Sequence, residues 1–168
     1  EEACSILNKH YGKAKVIAGG TDLLPQMKWG EITPRYLIGL SNIMGLGDIK
    51  YSRSAGLSIG TLATIRAIEQ SAQVRDRFTL LAEAASVLGS VEVRNRATIG
   101  GNLCNAAPSA DMAPALITLE AQVRMVSDKE ERNIPLEDFF KGPGKTVWIA
   151  YISDKISHAF IFGFRKTL

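Results

Sequence analysis

Ala18-Gly19-Gly20-Thr21-Asp22-Leu23 decides how this chain is read. It closes a short apolar run, Ala14 to Ala18, and opens a helix expected over Thr21 to about Trp29. Two residues without a Cβ where a strand hands over to a helix let an anion approach the main chain closely. The free N–H groups and the dipole at the start of the helix favour negative charge there. A phosphate group suits such a turn. Asp22 is repelled by a phosphate, so its carboxylate is expected to cap backbone amides or to meet a ribose hydroxyl. A plain tight turn with an N-cap has the same sequence signature and stays open at this point.

A second turn of similar make-up lies about eighty residues further on. Thr98-Ile99-Gly100-Gly101-Asn102 is expected to follow another strand-like stretch, and Asn102 brings both donors and an acceptor. Asp111 could accept from sugar or polyol hydroxyls. One turn on each side of a cleft would hold a long ligand with two phosphates, so a dinucleotide is expected. A β-bulge or a close packing point at Gly100-Gly101 is the alternative.

Other nucleotide motifs fail on inspection. Gly144-Lys145-Thr146 matches the end of a Walker A loop, but the first glycine of that motif would fall on Phe139. Gly45 and Gly47 are followed by Lys50 where the Rossmann fingerprint needs its third glycine. The 168 residues are 46% hydrophobic and 22% charged, enough to bury a sizeable core. Twenty basic and 17 acidic residues are interspersed, so no nucleic-acid partner is expected. Two distant cysteines, Cys4 and Cys104, cannot hold a four-thiolate cluster, and a reduced, cytoplasmic setting without a bound metal is expected. No apolar stretch is long enough for a membrane helix, so a membrane is not expected as a partner either.

The remaining pattern alternates helix and strand. Helices are expected over Glu2 to His10, Thr64 to about Gln70, Phe78 to Leu88 with Gly89 behind it, and Pro108 to Leu119 with Ser109 and Asp111 near its start. Strands are expected over Tyr36 to Leu40, over Tyr51 to Gly60 with a bend, and as a hairpin of Ala121 to Val126 with Arg132 to Pro135 around Asp128-Lys129-Glu130-Glu131. Lys141 to Lys145 suits a flexible connector, Trp29 and Met27 suit core packing, and His10 and His158 suit structural roles. Both ends are abrupt, and Ala159 to Leu168 suits the start of a strand whose partners lie elsewhere. The chain is therefore expected to be a fragment.

VIAGGTDLL (Val16 to Leu24) followed by VRNRATIGGNLCNAAPSADMAPAL (Val93 to Leu116) resembles the FAD-binding subunit of molybdenum hydroxylases, the family of xanthine and carbon monoxide dehydrogenase flavoproteins. The resemblance runs over about residues 1 to 147. It implies an α+β fold of the vanillyl-alcohol-oxidase (PCMH) type: residues 1–54 and 55–147 as two FAD-clasping subdomains, and 148–168 as the start of a C-terminal subdomain that is largely missing. Ile17, Ala18, Gly19, Gly20, Thr21, Asp22 and Leu23 match the segment that binds the FAD pyrophosphate. Thr98, Ile99, Gly100, Gly101 and Asn102 match a second FAD loop, and Asp111 matches an acidic residue that binds FAD hydroxyls. Arg94 and Arg96 flank that loop, either as phosphate counter-charges or as members of surface or interdomain ion pairs of small energetic consequence.

In such enzymes electrons pass from a molybdopterin subunit through the 2Fe–2S clusters of an iron–sulphur subunit to FAD, and on to NAD or another acceptor. The resemblance thus implies an electron relay with no catalytic side chain, inactive on substrate by itself. Where the family often places a lysine against the flavin, this chain has Phe162. A cofactor-free interaction fragment and a self-sufficient flavin oxidase of similar fold are the competing possibilities.

Overall fold

The computed structural model describes residues 2–108, 110–127, 131–147 and 158–164. Helix α1 (Glu2–Lys9) leads into β1 (Ala14–Ile17), the glycine turn, α2 (Leu23–Lys28) and β2 (Tyr36–Gly39). β1 and β2 pair in parallel, with Val16 opposite Ile38, so the expected strand–turn–helix–strand unit is present. Both strands are only half-covered, with Ile38 the one buried side chain on β2. Trp29 does not pack inward: it caps α2 and is 71% exposed. His10 stacks on Tyr36 with ring centroids 4.0 Å apart, which fits a structural role.

The expected bent strand over Tyr51 to Gly60 is instead a hairpin of β3 (Ile49–Ser52) and β4 (Gly56–Gly60). Four short helices follow: α3 (Ile65–Gln70), α4 (Ala72–Arg77), α5 (Thr79–Val87) and α6 (Val91–Arg96). Three of them begin on a hydroxyl that supplies an acceptor. Thr64 caps α3 through the Ala67 amide, Ser71 caps α4 through Val74, and Ser90 caps α6 through Val93. Gly89, with positive φ, ends the α5 turn as its position after the apolar run predicted.

Helix α7 (Ile99–Asn105) and helix α8 (Met112–Thr118) come next. The helix expected from Pro108 thus starts four residues late; Ser109 lies outside the described residues, and Asp111 stands at the N-cap position with no side-chain capping bond. Strands β5 (Gln122–Ser127) and β6 (Glu131–Pro135) form the expected hairpin, although its tip, Asp128 to Glu130, lies outside the described residues. After α9 (Leu136–Phe139), the expected flexible connector is a small hairpin, β7 (Phe140–Gly142) with β8 (Lys145–Thr146). The Gly144 amide donates to the Ala106 carbonyl at 2.9 Å, and this ties the hairpin to the end of α7.

The last described strand corrects an expectation. β9 (His158–Phe164) has its partners in this chain, because it lies between β4 and β5 and pairs antiparallel with both. The sheet order is β3-β4-β9-β5-β6. Sequence order hid this, since β9 comes last and its neighbours lie about 35 and 100 residues earlier. Leu57 and Ile59 of β4, Val123 of β5, Ile65 and Ile68 of α3, Leu81 of α5, Leu103 of α7, Leu116 of α8 and Phe139 of α9 are fully buried in one cluster. Burial of a side chain of that size contributes about 1.5–3 kcal/mol. The helices α3, α5 and α6 pack together against this core, and the second glycine turn is built on top of it.

Candidate functional site

The first glycine turn leaves its main chain open. The Ile17 carbonyl is taken up by the parallel ladder, where it accepts the Leu40 amide at 3.0 Å. Beyond it, among the described residues, no protein acceptor meets the amides of Ala18, Gly19, Gly20, Thr21 or Asp22. Gly20 has φ +77°, a conformation glycine adopts without strain, and its carbonyl accepts the Leu24 amide and so starts α2. Asp22 does not cap these amides, contrary to one expectation for it; its carboxylate is exposed and makes no capping bond. Leu23 begins α2 and is half-buried.

The second turn is built the other way. It follows helix α6, and not the expected strand-like stretch, and its residues form the first turn of α7. Thr98 is the N-cap, its hydroxyl accepting the Gly101 amide at 3.1 Å. Ile99 donates to the Ala63 carbonyl at 3.0 Å, Gly100 to Thr61 at 2.9 Å and Asn102 to Thr98 at 3.0 Å. All four amides from Ile99 to Asn102 are therefore engaged inside the protein. A Cβ on Gly100 would overlap the Thr61 hydroxyl and carbonyl, so this glycine is required by the packing of α7 against the end of β4. Close packing is the alternative reading of this glycine pair, and it applies at Gly100.

A Cβ on Gly19 would overlap the Arg96 carbonyl, so the main chain of the first turn sits directly on the segment that leads into the second. Two polar groups of the expected set make no side-chain hydrogen bond among the described residues. Asn102 Oδ1 is buried and meets no donor among the described residues, although a buried acceptor left without one costs about 1–3 kcal/mol. Asp111 holds an exposed carboxylate at the start of α8. Residue type and spacing bring these residues into one set, and the packing of Gly19 on Arg96 puts the first turn against the segment that precedes the second.

The two arginines separate. Arg94 is 8% exposed and its guanidinium is engaged on both sides: Nε donates to Glu69 at 2.9 Å, and one Nη donates to the carbonyls of Leu88 at 3.1 Å and Gly89 at 2.9 Å. It is not a phosphate counter-charge. Glu69 also accepts from Arg66 at 2.9 Å, and the hydrogen bonds from Arg66 and then Arg94 hold its carboxyl below the ordinary value. Arg96 has an exposed side chain, free to meet an anion. Sequence reasoning missed Glu69 because nothing local marks a glutamate whose partner lies 25 residues away.

These features define a mixed helix-and-strand chain with a row of main-chain donors that, among the described residues, have no protein acceptor. The chain belongs to the family described as the FAD binding domain in molybdopterin dehydrogenase, whose model matches residues 1–156. It is 33% identical over 150 residues to the xanthine dehydrogenase FAD-binding subunit of Escherichia coli O157:H7, covering 89% of this chain and 50% of that protein. It is 34% identical over 146 residues to the carbon monoxide dehydrogenase medium chain of Hydrogenophaga pseudoflava, covering 87% and 50%.

Solved structures agree. Carbon monoxide dehydrogenase from H. pseudoflava lacking the Mo-pyranopterin moiety superposes with TM-score 0.88 at 31% identity, over 98% of this chain and 56% of that one. Quinoline 2-oxidoreductase from Pseudomonas putida 86 gives 0.87 at 28% identity, over 99% and 56%. The chain spans about half the length of the relatives it matches.

Proposed function

We propose that this chain forms the FAD-holding part of a molybdenum hydroxylase of the xanthine dehydrogenase kind, with the larger fold being the vanillyl-alcohol-oxidase type. The observation that carries this is the row of unengaged amides from Ala18 to Asp22, seated on the Arg96 carbonyl. A pyrophosphate needs several donors on one side and no carboxylate pointed at it. Gly20 supplies the bend, Arg96 a nearby cation, Asn102 Oδ1 an acceptor in want of a donor, and Asp111 an acceptor for hydroxyls. In this arrangement residues 1–54 carry the phosphate turn and 55–147 carry the second turn, while β3 reaches across into the larger sheet.

When bound, FAD supplies electron transfer in steps of one or two. The protein's own residues bind and orient: the first turn fixes the diphosphate, and Thr98, through its cap on α7, fixes the direction of Asn102. No side chain is required as acid, base or nucleophile. The partners in this proposal are an iron–sulphur subunit and a molybdopterin subunit, the acceptor is NAD or a substitute, and the setting is cytoplasmic. Among the described residues no helix is long and apolar enough to cross a membrane.

Titration of the purified chain with FAD tests this directly, by quenching of flavin fluorescence and competition with ADP, which shares the adenosine and the diphosphate but lacks the flavin. Binding of both is expected. Asn102→Ala should weaken FAD by about tenfold, one hydrogen bond's worth, and leave the melting temperature of the FAD-free protein unchanged or raised. A chain that binds neither FAD nor ADP would refute the proposal.

A further inference from the structure

We propose that Arg94 is a positioning residue for the phosphate turn, acting through the carbonyl of Arg96. The inference rests on the assignment of Ala18 to Asp22 as the diphosphate site. Helix α6 is six residues long, too short to hold its place by its own hydrogen bonds. Its Ser90 cap is long, at 3.4 Å from the hydroxyl to the Val93 amide. The guanidinium of Arg94 ties α6 to two neighbouring elements. That group binds Glu69 of α3 at 2.9 Å and the carbonyls of Leu88 and Gly89, which close α5, at 3.1 and 2.9 Å. Three acceptors on two other elements define the position of one planar cation.

From Arg94 the route to the turn is short. Arg96 ends α6, the Ala97 amide donates to Val93 at 2.7 Å, and the Ala97 carbonyl accepts the Ile65 amide at 2.9 Å. The Arg96 carbonyl is the atom on which Gly19 rests, with no room for even a methyl group between them. A shift of α6 therefore moves the base under the open amides of Ala18 to Asp22. Arg94 itself touches no ligand; it sets the height of the surface on which the donors lie.

This role also explains why the charge is buried at all. An unbonded guanidinium at 8% exposure would be strongly unfavourable, and an apolar side chain could fill the space. An apolar side chain could not, however, bond two helix-end carbonyls and a carboxylate at once.

The test uses the full chain and two probes, FAD and ADP, titrated below the unfolding temperature of each variant. Arg94→Met should weaken both probes by about tenfold or more, and equally, because the displaced groups serve the diphosphate common to both. Arg66→Met removes the other partner of Glu69 without touching α6. It should lower the melting temperature while leaving both affinities within about twofold of wild type. Arg94→Lys and Glu69→Gln, which preserve bulk, should give intermediate losses and carry the test if Arg94→Met does not fold. Wild-type affinity for both probes in folded Arg94 variants would overturn the positioning role alone. Loss confined to FAD, with ADP unchanged, would also overturn it. A wild-type chain that binds neither probe would instead remove the diphosphate site on which the inference stands, and the inference with it.

Discussion

Two glycine pairs of nearly equal composition do opposite work in this chain. Gly19 and Gly20 belong to a turn whose amides, from Ala18 to Asp22, are spent on nothing among the described residues. Gly100 and Gly101 belong to the first turn of a helix whose amides, from Ile99 to Asn102, are all spent on Ala63, Thr61 and Thr98. The first pair leaves its donors unengaged among the described residues, whereas the second uses them to fasten α7 to the end of β4. Glycine content marks close approach of something to the main chain. It does not say whether that something is a ligand or the protein itself.

The largest effect expected from this contrast is at Gly100. Alanine there places a methyl group on the Thr61 hydroxyl and carbonyl, and the carbonyl cannot move without releasing the Gly100 amide. Gly100→Ala should cost about 3 kcal/mol or more in urea unfolding, at the upper end of overpacking effects. Gly19→Ala, which meets the Arg96 carbonyl, should also destabilise, but less, because the half-covered β1–β2 layer can yield. Equal and small losses at both positions would show that neither close approach is real.

The second pair of variants separates ligand from packing. Gly20 has φ +77°, whereas Gly101 lies in helical geometry, and a methyl group added to it would meet only the Thr98 hydroxyl, at 3.1 Å. Gly20→Ala should cost about 1 kcal/mol of backbone strain and, in addition, weaken FAD, because relief of that strain shifts the N–H groups of the turn. Gly101→Ala should change stability by less than about 1 kcal/mol and leave FAD affinity untouched, since its amide already serves the N-cap. The measurement is a paired one, unfolding free energy against flavin affinity for each variant. A strong affinity loss in Gly101→Ala would mean that the second turn also faces the diphosphate.

How much of this was legible in the residues varies by element. The strand–turn–helix–strand unit was, because Ala14 to Gly39 is local and each boundary carries its own signal. So was the long apolar helix ending at Gly89. The helical start at Ile99 was not, since Thr98-Ile99-Gly100-Gly101 reads as a turn by composition and becomes a helix only because Thr98 caps it and Thr61 and Ala63 receive its amides. The place of β9 was not legible either, because a strand's partners are set by tertiary pairing and carry no local mark. For the candidate site, residue types suggested the members, and the contact of Gly19 with Arg96 supplied the one piece of geometry that the sequence lacked. The role of Arg94 was invisible for the reason that Glu69 was: ion pairs across helices leave no spacing rule.

A smaller effect should follow pH. The carboxyl of Glu69 is held below its ordinary value of 4.5, chiefly by its hydrogen bond from Arg66, with Arg94 adding to it against the opposing effect of burial. A carboxyl depressed on folding contributes stability that is fully present above the unfolded value and is lost as pH falls through the lower folded value. The melting temperature of the wild type should therefore exceed that of Glu69→Gln at neutral pH, and the gap should close below about pH 4.5. The gap staying constant from about pH 6 to about pH 3 would mean that Glu69 is not ionised in this network, and that the base under the first turn is not held through it as proposed.

The smallest effect expected concerns Cys104, two residues beyond Asn102 on α7. If this helix is an interior support and not a ligand-facing loop, its thiol should behave as a packed group. Burial pushes the Cys104 thiol up to about 12, so at neutral pH almost none is thiolate, the form that reacts. Alkylation by iodoacetamide at neutral pH should be far slower at this position than in the unfolded chain, and FAD should change the rate little. Mass spectrometry of the peptide containing Cys104 gives the rate free of any contribution from Cys4. Rapid labelling that FAD suppresses would show α7 opening when the cofactor is absent. In that event the amides of Ile99 to Asn102 would be donors held in reserve, and the contrast between the two turns would depend on the ligand.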